Sequence, residues 1–458
     1  MKSNRQETYE KFRALFPFMA YEGYSYSLSD NELNIVFDFN LADRYTFRPE
    51  IMIPVAGRMD RDIISDSLIR NIIFNMGMVE LISYWKAACP PRVIIRAGQL
   101  SSDQTEWWKK LYLNGMGEFF YENGITPAPD FMDIMAATPD KGNEPEAFSG
   151  SGILVPVGGG KDSVVTLELL SELGHCRPFI VNPREASLGS VRNAGFREED
   201  AILMRRSIDP RLIELNDEGF LNGHTPFSAM LAFSSLLAAC LYGLGEIALS
   251  NESSANEPTI PGTNINHQYS KSFEFEEDFR QYVSEYLCTG IKYYSFLRPL
   301  NELQISGLFS AFSHHFSSFK SCNVGSKTDS WCGSCPKCLF TYIMLSVFLE
   351  KGALLKIFGK DLYEDGDLTY IFDQLTGIAD EKPFECVGTI DEVNIAVRRA
   401  IEKYGPGDLP VLLKHYLDHT GSQVPVTHDL EGALNEFGPH HIYGDDKVEY
   451  LKSKIYAL

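Results

Sequence analysis

The sequence predicts an α/β protein with a parallel-sheet core in mid-chain, an α+β region before it and a helical region after it. Three observations carry that expectation. From residue 153, short apolar runs alternate with helix-like segments; a turn of three glycines, GGGKDS (158–163), joins the first such run to the first helix; and beyond about residue 300 the strand signals give way to helical ones. Strands separated by helices need crossover connections, and crossovers pair strands in parallel.

Taken in order, residues 1–150 open with a helix-like segment, followed by YSYSLSDNELNIVFDFN (24–40), whose alternation and aromatics indicate antiparallel strands. Residues 62–86 and 104–122 read as helices, with RVIIRAG (92–98) between them as a strand. The stretch TPDKGNEPEAFSGSG (138–152) is rich in Gly, Pro and charge and marks a boundary, giving an N-terminal α+β domain over 1–150. The core, 151–300, then contains ILVPV (153–157), a helix from 162, PFIVN (178–182), AILMRR (201–206), a helix at 226–243 and EIALS (246–250). Ligands on such sheets sit at the carboxyl ends of the strands, where the glycine loop and NESSANE (251–257) would meet. Residues 301–458 form the helical region.

At 458 residues the chain is long enough for more than one core. Its 62 acidic and 41 basic residues give a net charge of -21, which repels a phosphate backbone and argues against nucleic-acid binding while leaving room for a local basic pocket. The run PFSAMLAFSSLLAACLYGLGEIAL (226–249) is long enough to raise a membrane question, but Gly243 and Gly245 divide it, so a buried helix followed by a buried strand is expected, with no membrane insertion. The first residues, MKSNRQETYEKFRALF, lack the apolar core of a signal peptide, and the expected location is cytoplasmic.

The glycine loop fits neither common phosphate motif. A Walker loop needs glycines four residues apart ahead of Lys and Ser or Thr, and G-x-G-x-x-G needs a third glycine that is missing here. Gly158, Gly159 and Gly160 nevertheless allow backbone N–H groups to turn toward an anion, and the helix N-terminus at Lys161-Asp162-Ser163 adds partial positive charge. Lys161 can pair with phosphate oxygens, and Asp162 beside them would bind Mg2+ or cap the helix. GGGKDS resembles the S-G-G-x-D-S loop of the PP-loop ATP pyrophosphatases, whose HUP-like parallel sheet and ATP-to-AMP chemistry the resemblance implies. Gly158 replaces the first serine of that pattern, removing a hydroxyl contact and leaving the backbone cradle.

Of nine cysteines, Cys322, Cys332, Cys335 and Cys338 fall within seventeen residues, as C-x9-C-x-x-C-x-x-C. Four thiolates so spaced suit one structural tetrahedral Zn2+; a [4Fe–4S] cluster or a metal-free thiol cluster are the alternatives. The pattern, with NGHTPFSAMLAFSSLLAACLYGLGEIALSNESS and LRPLNELQISGLFSAF, is similar to 7-cyano-7-deazaguanine synthases over about 153–345.

VPVGGGKDS, NESSANE, NHQYSKSFEFE (266–276) and KPFECVGT (382–389), together with the long extensions on both sides of the core, resemble the ATP-dependent UDP-N-acetylmuramoyl-L-alanyl-L-glutamate epimerases, the MurL family. The resemblance implies an enzyme of peptidoglycan precursor synthesis that takes ATP and UDP-MurNAc-L-Ala-L-Glu and inverts the terminal glutamate through an acyl-adenylate, releasing AMP and diphosphate. Residues 1–150 would help to bind the UDP-sugar. Candidates for moving the α-proton are His224 in NGHTP, His267 in NINHQYSK, Glu252 and Glu257 flanking SSAN, and Cys386 in PFECVGT. Each has a plainer reading: cap neighbour, loop residue, magnesium ligand or buried thiol. Lys271 and Arg298 are expected either to bind anionic groups or to be solvated charges. A PP-loop amidating ligase, a tRNA-modifying enzyme and a nucleotide-binding regulator with an inactive loop are the competing readings.

Overall fold

The computed structural model describes residues 4–29, 31–55, 64–139, 144–256, 269–405, 407, 409–420 and 429–458. The chain begins with α1 (Gln6–Leu15), β1 (Phe18–Leu28), β2 (Glu32–Leu41), β3 (Tyr45–Phe47), β4 (Glu50–Pro54), α2 (Asp66–Trp85) and β5 (Arg92–Gln99). It continues through α3 (Ser102–Gly115), α4 (Gly117–Glu122), β6 (Asp133–Ala137) and β7 (Glu146–Ala147). The expected alternation follows: β8 (Ile153–Pro156), α5 (Lys161–Leu173), β9 (Cys176–Val181), α6 (Glu185–Asn193), β10 (Ile202–Ser207), α7 (Pro210–Asp217), α8 (Phe227–Leu241) and β11 (Glu246–Leu249). After α9 (Phe273–Tyr286), β12 (Cys288–Thr289) and β13 (Lys292–Ser295) come α10 (Glu302–Ser310), α11 (Pro336–Ser346), α12 (Lys351–Phe358), α13 (Thr369–Thr376), α14 (Ile390–Tyr404), α15 (Val411–Thr420), α16 (Leu430–Asn435) and α17 (Asp445–Ile455). The α/β class, the parallel core and the helical C-terminal region are as the sequence predicts.

Eleven strands form one sheet, in the order β13-β11-β8-β9-β10-β4-β2-β1-β5-β6, with β3 paired to β2. The strands from β13 to β10 are all parallel, and the join between β10 and β4 is antiparallel, with Arg205 opposite Met52, Arg206 opposite Ile51 and Ser207 opposite Glu50. Behind that join, Arg206 makes two 2.7 Å hydrogen bonds to the buried Glu80 carboxylate on α2. A bidentate pair of this kind fixes orientation as well as position.

Two apolar cores lie on opposite faces. Successive strand residues point to opposite sides, and here Leu154, Phe179, Ile247 and Leu249 enter the core shared with α2 and α8. Ile153, Val155, Ile180 and Ala248 enter the core shared with α5, α10 and α11. Helix α8 is apolar all round because it is enclosed, and Gly243, at φ +67°, turns the chain into β11. No described helix is long and apolar enough to cross a membrane.

Candidate functional site

The site lies at the carboxyl ends of β8, β9 and β11, around a cavity of about 430 Å³. Gly159 has φ +88°, and a Cβ there would lie 2.8 Å from backbone atoms of both Ala186 and Ser187, so only glycine fits this approach to α6. A Cβ on Gly158 would meet nothing within 4 Å, so glycine is not sterically required there and the serine of the loop pattern would fit. Gly160 caps α5 without any side-chain hydrogen bond, and the Lys320 N–H donates to the Gly159 carbonyl at 2.8 Å. The loop is thus held from one side by α6 and from the other by the chain leading to the cysteines.

The cavity gathers charge of both signs. Lys161, only 3% exposed, places its ammonium between the carboxylates of Asp162 and Glu302. Burial alone would lower the Lys161 pKa, but those two carboxylates outweigh it and keep the lysine protonated. Burial raises the Glu302 pKa, Lys161 opposes that, and Asp162, Glu252 and Glu392 add to the rise. Glu392 also accepts the Glu302 N–H at 2.6 Å. Oxygens of Asp162, Glu252 and Glu302 lie within 4.8 Å of one another and could hold a metal ion.

Lys271, Lys320, Lys337 and Arg184 also line the cavity, a basic patch in an acidic protein. The Lys271 Nζ lies 2.9 Å from the Cys386 Sγ. Burial raises the Cys386 pKa, yet Lys271 and Lys337 more than offset it, so the thiol ionises below its ordinary range. Lys271 is correspondingly raised by Cys386 and Glu252 against its own burial. Arg298, 1% exposed, is committed to structure: it donates to the carbonyls of Glu252 (2.9 Å) and Lys271 (2.6 Å) and to the Glu276 carboxylate (3.0 Å).

The four sequence-predicted cysteines converge. Sγ–Sγ separations are 3.8 Å for Cys322–Cys335, 3.7 Å for Cys332–Cys338 and 3.5 Å for Cys335–Cys338, a set that could hold a metal ion. The N–H of Gly325 donates to Cys322 at 3.1 Å. Cys335 caps α11, and Pro336 occupies its first turn. This knuckle immediately follows Lys320 and Ser321 in sequence, so it also anchors the outer wall of the glycine loop.

Of the predicted site residues, Gly158, Gly160, Lys161, Asp162, Ser163, Glu252 and Cys386 line the cavity, with Gly159 behind it. His224 is not in the lining; its Nδ1 lies 3.1 Å from the Glu118 carboxylate on α4. His267 and Glu257 lie outside the described residues. Glu302, Lys320, Lys337 and Glu392 were not anticipated. The one local signal for Glu302 is an acid at the start of a buried helix, within PLNELQI, behind the Asn301–Gln304 capping box.

Residues 11–296 match the family model of the MurL N-terminal domain, and residues 317–428 that of the MurL C-terminal domain. Three curated relatives bear the name UDP-N-acetyl-alpha-D-muramoyl-L-alanyl-L-glutamate epimerase. The chain is similar to the one from Micromonospora sp. at 32% identity over 449 residues, 94% of this chain and 97% of that protein. It is 36% identical to that of Xanthomonas oryzae pv. oryzae over 324 residues, 67% of this chain and 69% of the relative. The Salinispora tropica protein is 32% identical over 418 residues, 88% of this chain and 89% of its own.

Proposed function

The chain belongs to the MurL family, and on that premise we propose that it is a cytoplasmic epimerase of peptidoglycan precursor synthesis, inverting the terminal L-glutamate of UDP-MurNAc-L-Ala-L-Glu with cleavage of ATP to AMP and diphosphate. The observation that carries this reading is the sharing of one cavity by the glycine loop with Lys161 and by the Lys271–Cys386 pair. One end suits phosphate, the other suits a proton.

The amides of Gly158–Gly160, the start of α5 and Lys161 would take the ATP phosphates. The Asp162, Glu252 and Glu302 oxygens suit Mg2+, which when bound neutralises phosphate charge. A carboxylate oxygen of the substrate glutamate attacks the α-phosphorus, and diphosphate leaves. Adenylation removes the charge that makes the α-proton so weakly acidic, because the neutral acyl group can delocalise the carbanion as an enolate. Cys386, favoured as thiolate by the Lys271 ammonium 2.9 Å from its sulfur, would accept that proton. Return of a proton to the opposite face gives the D-centre, and water releases AMP. Zn2+ fits the cysteine knuckle: Zn–S bonds of about 2.3 Å give tetrahedral edges of about 3.8 Å, close to the observed 3.5–3.8 Å. With four protein ligands its role is structural.

The test is incubation with ATP, Mg2+ and UDP-MurNAc-L-Ala-L-Glu, following AMP and the chirality of glutamate after hydrolysis. D-Glutamate formed only with ATP, alongside AMP, is the expected result. AMP with nitrogen incorporated and no inversion would replace the epimerase by an amidating ligase.

A further inference from the structure

A cavity of about 430 Å³ is the size of a site for one small ligand. On the epimerase reading it would take ATP and the reacting glutamate, so the remainder of a nucleotide-linked substrate needs adjoining space. That space exists. Sharing Arg184 and Phe227 with the first cavity is a second hollow of about 910 Å³, floored by β2, β4 and β10.

Strand alternation decides what this floor presents. On β2, Leu33, Ile35 and Phe37 point into the core, leaving Asn34 and Val36 outward; on β4, Ile51 and Ile53 point inward, leaving Glu50 and Met52. On β10, Met204 enters the core and Arg206 pairs with Glu80 on the same side, leaving Arg205 and Ser207. Cross-strand register aligns Arg205, Met52 and Asn34 in one row and Ser207, Glu50 and Val36 in the next. Each row thus sets polar groups beside an aliphatic one.

Arg205 is exposed, and its side chain makes no hydrogen bond or ion pair among the described residues. By contrast, Arg192, Arg197 and Arg206 each hold a carboxylate. In a chain of net charge -21, an arginine left unmatched in a concavity suits an anion. Arg184 stands on the wall between the two hollows. The turn carrying it is locked by Asn182, at φ +51°, whose side chain accepts from the Arg206 N–H (2.7 Å) and donates to the Arg206 carbonyl (3.0 Å). The start of α6 is already satisfied, since the N–H groups of Glu185 and Ala186 donate to Asp329.

Resting on the epimerase reading above, we propose that this trough binds the nucleoside-diphosphate end of the substrate. Arg205 and Arg184 take the diphosphate, Glu50 accepts hydroxyl hydrogens of the sugar, and Met52 and Val36 lie under the flat, less polar face.

The test compares the full-length protein with Arg205→Ala and with Val36→Trp, which fills the trough. Steady-state kinetics with UDP-MurNAc-L-Ala-L-Glu and ATP are run beside calorimetric titration with UDP alone. The expected result is a KM for the muramoyl dipeptide raised about 10- to 100-fold in Arg205→Ala, with kcat and the KM for ATP within about twofold and UDP binding weakened in parallel. Unchanged KM and unchanged UDP affinity in both variants would overturn the proposal. Absent turnover by the parent with UDP binding that Arg205→Ala weakens would sink the epimerase reading and leave the trough standing. Absent UDP binding to the parent would overturn the trough whatever the turnover.

Discussion

The two halves of the sheet solve burial differently. In β8, β9 and β11 both faces are covered, and neighbouring residues such as Ile153 and Leu154 feed separate cores. In β2 and β4 the burial alternates strictly, one face packed on α2 and the other left open among the described residues. The doubly covered half surrenders both faces to packing and keeps only its strand ends for chemistry, where the glycine loop, Lys161 and Glu252 meet. The half-covered part retains a whole face, which it can present to a ligand. Rigidity belongs to the first and surface area to the second.

Three measurements bear on that contrast. The largest effect should come from Lys161→Met at the end of the doubly covered half. AMP formation should fall about 100- to 1,000-fold while circular dichroism stays native; retained AMP release would detach the loop from phosphate chemistry. Next, Leu154→Ala should cost about 2–5 kcal/mol in urea unfolding, whereas Met52→Ala on the open face should stay within about 0.5 kcal/mol. Equal losses would mean that the open face is packed after all. The smallest effect concerns a pH profile. Because the Cys386 pKa is lowered in the folded protein, mainly by Lys271 acting against burial, the thiolate persists as pH falls below the ordinary thiol range. Alkylation of Cys386 by iodoacetamide should therefore stay fast into that lower range and slow only as pH passes through the folded value. Lys271→Met should shift the profile upward, and an unchanged profile would remove the ion pair from the argument.

What the sequence could announce was local. The glycine loop and the cysteine spacing are each contained in a short stretch, so the residues that come together in each could be read from their own order. The alternation of NELNIVFDFN likewise declared a one-sided strand. Long-range contacts carried no such signal. Glu302 reaches Lys161 across 141 positions, and the join of β10 to β4 brings Arg205 beside Met52 through backbone hydrogen bonds that leave no compositional trace. His224 shows the converse: a histidine ahead of a helix drew attention, and tertiary packing turned it toward Glu118. Arg298 could be read either way until its four acceptors appeared.

The antiparallel seam between β10 and β4, pinned from behind by Arg206 and Glu80, makes the molecule a caliper. On the proposed reading its jaws would be the trough and the Cys386 thiolate, with hydrogen bonds setting the gap between them. Adding or removing one amino acid changes a substrate by about 3.5 Å, enough to carry its α-carbon past the reach of a proton acceptor. Chain length would then be gauged by the backbone of the sheet, with no residue at the reacting centre needed to count it.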